Sequence, residues 1–210
     1  MKYIDVQQHK PLRKETDMGA YTTSTADLDT LQNIVRTLKS GYKSADGKTH
    51  RPSAKLAAIV TLEANTGIRI GDLLRLRPCD FVREGNFWRF NITEQKTGKV
   101  RAFPVPDAVY RFVWDYCQIN QIQTDARIFP ITPREVQKQL KAVREYLGYD
   151  NISTHSFRKF AGQEVYEASG YDIEAAREFY QHASVHTTQV YLRRTSRKLE
   201  SAIEKSVHII

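Results

Sequence analysis

Apolar residues recur at helical spacing along most of this chain, and a single stretch near its middle alternates like a β-strand instead. The alternating stretch, Phe87 to Thr93, is followed by a second strand-like segment, Val100 to Val105. The residues between them include a glycine, which is typical of a turn that joins antiparallel strands. We therefore expect a mainly α-helical domain with one small antiparallel β-sheet, which is an α+β fold.

Capping residues and helix breakers predict where the helices begin and end. Ser24-Thr25-Ala26-Asp27 resembles a capping box in which Asp replaces the usual Glu or Gln, and Gly41 is expected to end the helix that follows it. Gly41 to Arg51 is predicted to be a loop. Further helices are predicted over Pro52 to Asn65, Asp72 to Arg77, Asp107 to Asn120, Pro133 to Leu147, Ser156 to Ser169, Ile173 to Tyr180 and Thr195 to Val207.

The polar N-terminal stretch contains Pro11, so residues 1–20 are expected to form an arm or linker and residues 21–210 one domain with a tail helix.

The net charge of +8 favours an anionic partner such as nucleic acid, although an ordinary basic surface explains it equally well. The sequence contains no apolar run of about 18 residues that would predict a membrane-spanning helix. Two cysteines without metal-site spacing, and no apolar leader, suit a cytoplasmic protein.

Five polar motifs follow one another along the chain. They are Arg69 in the segment Thr66-Gly67-Ile68-Arg69, Lys96 near the tip of the predicted hairpin, His155 with Arg158, His182, and Tyr191 nine residues after His182. A spacing of three puts a histidine and an arginine on one helical face. Each residue alone is better explained as a structural or solvent-exposed side chain, so only the ordered set carries an argument.

The ordered set resembles the tyrosine recombinase (phage integrase) family. That family has a Thr-Gly-x-Arg segment, a Lys-Thr-Gly hairpin, a His-x-x-Arg pair, a second histidine and a tyrosine nine residues beyond it. The resemblance covers roughly Tyr21 to Arg194 and implies the catalytic-domain fold of this family, with the activity of a site-specific DNA recombinase or integrase. Two positions depart from the family pattern: Asp72 replaces a glutamate, and Gln181 replaces the glycine before the second histidine.

The chemistry of a phosphodiester gives each of these residue types a role. Two arginines can each donate paired hydrogen bonds to the non-bridging oxygens and remain charged at any working pH. Tyrosine attacks phosphorus and forms a 3′-phosphotyrosyl link, which stores the bond energy for rejoining. The expected roles are phosphate binding for Arg69, Arg158 and His182, proton acceptance for His155, nucleophile for Tyr191 and support for Asp72. The family resemblance implies that Lys96 is the general acid. Since the arginines would do the work of a metal, no metal or cofactor is expected.

Basic residues directly after the nucleophile are candidates for contacts with double-stranded DNA; they are Arg193, Arg194, Arg197 and Lys198. A solvated helix face explains them as well. In similar recombinases the C-terminal segment docks on a neighbouring subunit, so a homotetramer on paired DNA sites is expected, although docking on the same domain is equally consistent. Similar integrases also carry a core-binding domain, so the chain is expected to be either a catalytic fragment or a minimal recombinase.

Three other classes of protein compete with a recombinase, and one of them, a helical protein with only a basic surface, is disfavoured by the ordered set of motifs. A topoisomerase would use the same chemistry on one strand without exchange. A regulator on the same fold would bind DNA without cleaving it, but it would not need all six groups. A zinc site shared by His182 and His186 on one helix face is disfavoured, because the zinc-protease motif requires Glu at the position of Ala183.

Overall fold

The computed structural model describes residues 25–93, 95, 98, 100–101 and 104–192. Its α-helices are α1 (Leu28–Ser40), α2 (Ala54–Thr66), α3 (Ile70–Leu73), α4 (Asp107–Ile119), α5 (Pro133–Tyr146), α6 (Thr154–Ala168), α7 (Ile173–Tyr180) and α8 (Val185–Tyr191). Its strands are β1 (Tyr42–Lys43), β2 (Thr49–His50), β3 (Phe81–Glu84), β4 (Phe87–Phe90), β5 (Ile92–Thr93), β6 (Val100–Arg101) and β7 (Pro104–Val105). This mainly helical architecture with small antiparallel sheets confirms the predicted fold class. Across the described residues, no helix has the length and apolarity needed to cross a membrane.

Helix α2 lies at the centre of the fold. It is apolar around most of its circumference, and a helix of that kind is stable only when it is buried. Leu56, Ile59 and Leu62 are each at most 1% exposed, and α2 packs against α1, α3, α4, α5 and α6. Because the Thr-Gly-x-Arg segment follows α2 and the His-x-x-Arg pair lies in α6, the packing of these two helices positions two of the five motifs.

The start of α1 differs from the predicted capping box. Asp27, which was expected inside the helix, is the N-cap itself, and its Oδ1 accepts a hydrogen bond from the N–H of Thr30 at 2.7 Å. A carboxylate is a better acceptor for the first N–H groups than a hydroxyl, and it also favours the positive end of the helix dipole. Ser24 lies outside the described residues. Gly41 ends α1 as predicted, with φ of 74°.

The β-structure is more divided than the sequence predicted. Instead of one continuous strand over Phe87 to Thr93, the chain breaks at Asn91, whose N–H donates to the carbonyl of Asp80 at 2.8 Å. Strands β3, β4 and β7 form one sheet in that order, whereas β5 and β6 form a separate hairpin. The predicted second strand is likewise divided, into β6 and β7. The expected antiparallel hairpin on either side of residues 94–99 is confirmed.

Two short elements were missed. Strand β3 pairs with β4 across Gly85-Asn86, a dipeptide that often joins two strands and that offered a usable signal. The predicted loop after Gly41 contains the β1–β2 hairpin, in which the ring of Tyr42 stacks on that of His50 at 4.4 Å. Two-residue strands show no alternation, so pattern alone does not reveal them.

Most helix boundaries agree with the prediction to within two residues. The exceptions are α3, which ends at Leu73 rather than at Arg77, and α8, which was not predicted. The seven residues of α8 are mostly polar and begin at the N-cap Ser184, whose hydroxyl accepts from the N–H of Thr187 at 3.3 Å. The tail helix predicted over Thr195 to Val207 lies outside the described residues.

Leu62→Ala is expected to lower the free energy of unfolding by about 2–5 kcal/mol, because it leaves a cavity in the centre of the core. Leu28→Ala is the matched control at a leucine that is 54% exposed, and it should change the free energy of unfolding by no more than about 0.5 kcal/mol. Urea denaturation followed by circular dichroism measures both values. Similar losses in the two variants would contradict the central position of α2.

Candidate active site

The turn between α2 and α3 carries Arg69. It requires a glycine at position 67, which ends α2 in the left-handed conformation with φ of 56°. A Cβ at this position would also lie only 2.5 Å from Cε1 of Phe179. The tight turn lets Arg69 become the half-buried N-cap residue of α3. Two steric reasons therefore explain the glycine of the Thr-Gly-x-Arg motif.

Arg158 of α6 is buried, with 3% of its surface exposed. Its Nη1 donates a short hydrogen bond to the carbonyl of Gly67, and its Nη2 donates to the carbonyl of Tyr180 at 3.1 Å. These bonds hold the guanidinium between the turn after α2 and the end of α7. His155 lies one helical turn earlier in α6 and is exposed. The pair shares a helix as predicted, but the two side chains differ sharply in burial.

Tyr180, the last residue of α7, connects Arg158 to His182. Its hydroxyl lies 3.3 Å from the carbonyl of Arg158 and 3.2 Å from that of Lys159, and it can donate to either. The centroid of its ring lies 5.1 Å from Cζ of Arg158. The ring also stacks on that of His182, with the two centroids 4.9 Å apart. Sequence reasoning missed this residue, because a buried tyrosine has no pattern that separates it from ordinary core packing.

His182 lies in the turn between α7 and α8. Its Nδ1 is 3.0 Å from the hydroxyl oxygen of Thr188, a fully buried residue of α8. Its backbone N–H donates to the carbonyl of Arg177 at 3.0 Å. Thr188 precedes Tyr191, the last residue of α8, by three positions. His182 is therefore hydrogen-bonded to α8, the helix that ends at the predicted nucleophile Tyr191.

Helix α8 is also held through Leu192, the residue directly after Tyr191. Leu192 packs against the small apolar cluster formed by Ala161, Phe179 and Tyr180. Phe179 is the side chain that lies against Gly67. The segment that bears Tyr191 thus rests on the same cluster as the turn that bears Arg69.

Asp72 connects α3 to the segment that contains Lys96. The aspartate is 3% exposed, and its Oδ1 accepts a hydrogen bond from the backbone N–H of Gln95 at 3.0 Å. The same oxygen lies 3.4 Å from Nη1 of Arg75. The shorter side chain that replaces the family glutamate therefore still reaches the lysine-bearing connection. Lys96 itself lies outside the described residues.

These contacts bring four separate parts of the chain together: the turn after α2, the start of α6, the turn before α8, and the connection between β5 and β6. They join Arg158 to the turn that bears Arg69, and His182 to the helix that bears Tyr191. His155 joins the group only through its position on α6. The predicted DNA-contact residues Arg193, Arg194, Arg197 and Lys198 lie outside the described residues.

Two further sequence questions are answered by the same region. Gln181, which replaces the family glycine, adopts the left-handed conformation with φ of 54°, so the backbone keeps a geometry that glycine would adopt without strain. His182 precedes α8 whereas His186 lies within it, so the shared helix face on which a zinc site would depend does not exist. Among the described residues, no group of three or more histidine, cysteine or acidic side chains could hold a metal ion.

Glu63 is a second buried residue, after Tyr180, that sequence reasoning missed. It lies in α2, four residues before Gly67, and is 2% exposed. Burial raises the pKa of its carboxyl well above the ordinary value, and the positive charge of Arg158 opposes that rise. The sequence signal was available in principle, because a glutamate inside the most apolar helix of the chain is unusual.

Comparison with known proteins decides the family. The model of the phage integrase family matches residues 27–198 of the chain. The chain belongs to the phage integrase family. Tyrosine recombinase XerC of Methylobacterium nodulans is 31% identical over 160 residues, which cover 72% of this chain and 49% of that protein. The chain spans about half the length of the curated relatives that it matches.

Solved structures agree on the fold. The XerH site-specific recombinase bound to palindromic difH substrate, in a post-cleavage complex, matches with a TM-score of 0.64 and 17% identity, over 90% of this chain and 55% of that one. The catalytic domain of bacteriophage HP1 integrase matches with a TM-score of 0.59 and 16% identity, over 88% of this chain and 96% of that domain. At these identities the likeness establishes a shared catalytic-domain fold.

Gly162→Ala is expected to destabilise the protein, although alanine normally stabilises a helix interior relative to glycine. A Cβ at this buried position of α6 would overlap Cζ and Oη of Tyr180, and such overpacking costs about 1–3 kcal/mol. Gly71→Ala is the matched control in α3, where the new Cβ would lie at an ordinary 3.6 Å from Oε1 of Gln95. Thermal denaturation should show a lower midpoint for the first variant only; an unchanged midpoint would contradict the close packing of Tyr180 on α6.

Gln181→Gly is expected to raise the free energy of unfolding by about 0.5–1 kcal/mol, because glycine adopts the left-handed conformation without steric cost. The control Gln137→Gly, at an exposed position inside α5, should lower it by about 1 kcal/mol. Chemical denaturation measures both. Destabilisation by Gln181→Gly would mean that the side chain of Gln181 contributes more than its backbone strain costs.

Proposed function

We propose that this chain is the catalytic part of a site-specific DNA recombinase or integrase, which breaks and rejoins DNA strands through a 3′-phosphotyrosyl intermediate. The observation that carries the proposal is the series of contacts from the Gly67 carbonyl through Arg158, Tyr180 and His182 to Thr188 of α8. These contacts join the segments that bear five of the six proposed catalytic residues, all except Lys96, and they end three positions before Tyr191. Membership of the phage integrase family supports the same reaction.

In the proposed reaction, the phenol oxygen of Tyr191 attacks the scissile phosphorus and displaces the 5′-oxygen of the next nucleotide. At pH 7 only about one tyrosine in a thousand is ionised, so His155 accepts the phenol proton as attack begins. The exposed position of His155 at the start of α6 allows a substrate to reach it. Lys96 gives a proton to the departing 5′-oxygen, which leaves as a hydroxyl group.

The arginines stabilise the charge that develops on the phosphate. Arg158 is oriented before substrate binds, because two backbone carbonyls already hold its guanidinium. An oriented cation in a buried site stabilises a transition state more strongly than a mobile one, since little reorganisation is needed. A guanidinium has five N–H donors, so bonds to the protein and to phosphate can coexist. Arg69 and His182 complete the proposed phosphate site, and Asp72 supports it from α3.

Rejoining is the reverse displacement. The 5′-hydroxyl of an incoming strand attacks the phosphotyrosyl phosphorus, the bond to Tyr191 breaks, and the phenol recovers its proton. Because the phosphotyrosyl bond stores the energy of the broken phosphodiester, the cycle needs no cofactor. The same groups serve both directions, with Lys96 now accepting the proton that it donated.

The proposed assembly is a homotetramer on paired double-stranded DNA sites in the cytoplasm. Residues 1–20 would form an arm or linker, and residues 21–210 the catalytic domain with its tail helix. Arg193, Arg194, Arg197 and Lys198 would contact DNA phosphates next to the scissile bond. The XerH neighbour was solved bound to a palindromic difH substrate, and the net charge of +8 suits a polyanionic partner.

A nicked suicide substrate is expected to trap a covalent protein–DNA product, even with a chelator present. In such a duplex the short cleaved fragment diffuses away and rejoining fails. A pool of duplexes with a fixed nick and randomised sequence serves as substrate, because the target site is unknown. Denaturing electrophoresis should show the covalent band for the parent and for Tyr146→Phe, a control at a tyrosine that is 47% exposed. Tyr191→Phe should abolish it.

The other outcomes identify the competing functions. A mobility shift without any covalent band would indicate a DNA-binding regulator. A topoisomerase would give a covalent band and would relax supercoiled DNA. It would exchange no strands on any duplex of the randomised pool. A band that survives Tyr191→Phe would overturn the assignment of the nucleophile.

A further inference from the structure

A carboxyl group lies buried behind the proposed phosphate site. Glu63 belongs to α2, close to its C-terminal end, and only 2% of its surface is exposed. Its Oε2 is buried and makes no hydrogen bond within the part of the chain that the structure describes. A buried carboxylate oxygen without a donor is costly, because it loses its bonds to water and gains none in return. Core packing alone would be served better by an apolar side chain.

Glu63 and Arg158 both form hydrogen bonds with Gly67. The backbone carbonyl of Glu63 accepts the N–H of Gly67 at 2.8 Å, and the carbonyl of Gly67 accepts a hydrogen bond from Nη1 of Arg158. Helices α2 and α6 pack against each other along this line. The Arg158 guanidinium is therefore held by Gly67, which follows Glu63 in the sequence by four residues, about one turn of helix.

Arg158 is the charged neighbour of Glu63. Burial raises the pKa of the Glu63 carboxyl, and the charge of Arg158 opposes that rise. Asp72 of α3 and His155 and Lys159 of α6 are further ionisable residues on helices that pack against α2. An anion that approaches Arg158 therefore also changes the electrostatic environment of the Glu63 carboxyl.

We propose that Glu63 is a positioning residue for Arg158, an internal counter-charge that takes up a proton when a DNA phosphate binds the guanidinium. This inference rests on the proposed function, because it requires a phosphate at Arg158. At a pH above the pKa of Glu63 in the free protein, the ionised carboxyl balances the buried guanidinium. When phosphate supplies that negative charge instead, the carboxyl accepts a proton from solvent and becomes neutral. The guanidinium then interacts with phosphate alone.

The sign of the pH effect follows from linkage. A nearby phosphate disfavours the ionised carboxyl, so the pKa of Glu63 is higher in the complex than in the free protein. At a pH between these two pKa values, the complex holds one more proton than the free protein. DNA affinity therefore falls as pH rises, by up to about tenfold per pH unit. Below both values, or above both, affinity no longer depends on Glu63.

Calorimetric titration of a 30-base-pair duplex into the whole chain, in two buffers of different ionisation enthalpy, measures the protons taken up on binding. Repeating it across the pH range gives the dissociation constant at each pH. Glu63→Gln, which keeps the shape but cannot ionise, is expected to take up about one proton fewer and to show a flatter pH dependence. Glu164→Gln removes the same charge at an exposed position of α6 and should behave like the parent.

The outcomes separate this proposal from a structural role and from the proposed function. If Glu63 only fills space, Glu63→Gln will change the thermal midpoint but not the proton count, and the proposal is overturned. If the parent does not bind the duplex at all, both this proposal and the proposed function fail. If the parent binds with the expected proton uptake but the suicide substrate traps no covalent product, only the catalytic function fails.

Discussion

The buried guanidinium of Arg158 is the interaction on which the rest of the site depends. It donates to two backbone carbonyls, one in the turn after α2 and one at the end of α7. Those carbonyls belong to segments that no regular hydrogen-bond ladder joins, so the arginine replaces secondary structure as the connection between them. A buried cation is tolerated only when its donors are satisfied and its charge is balanced. The two carbonyls and the Tyr180 ring meet part of that requirement, and Glu63 is the proposed counter-charge.

The helical framework could be read from the sequence because its signals are local. Apolar periodicity, Gly41 and the proline at the start of α5 place most helix ends to within two residues. The β-structure was predicted less well, since pairing between short strands depends on distant partners. Asn91 interrupts a strand through a bond to Asp80, and no property of the strand itself reveals that bond. The cap of α1 was wrong by one helical turn because serine and aspartate are both good N-caps and only the fold selects between them.

The candidate site was predicted from residue order, and its supporting contacts were not. The ring of Tyr180 packs against both Arg158 and His182, and one buried tyrosine among eleven carries no distinguishing pattern. The contact between Thr188 and His182 crosses a turn and was not predicted, whereas Glu63 was missed despite a usable signal, a glutamate inside an apolar helix. The catalytic roles of the six residues stay predictions. The departure at Asp72 has a physical explanation, because its shorter carboxylate still accepts the N–H of Gln95.

The contact between Gly162 and Tyr180 makes these two positions interdependent. Helix α6 approaches the end of α7 so closely that the aromatic ring occupies the volume in which any larger residue at 162 would place its first carbon. A change at one position therefore alters which residues the other can accept, and their effects on stability will not be additive. Anyone who exchanges segments between this chain and a relative should transfer residues 162 and 180 as a pair, because a chimaera with either one alone would have a clash or a void beside the guanidinium.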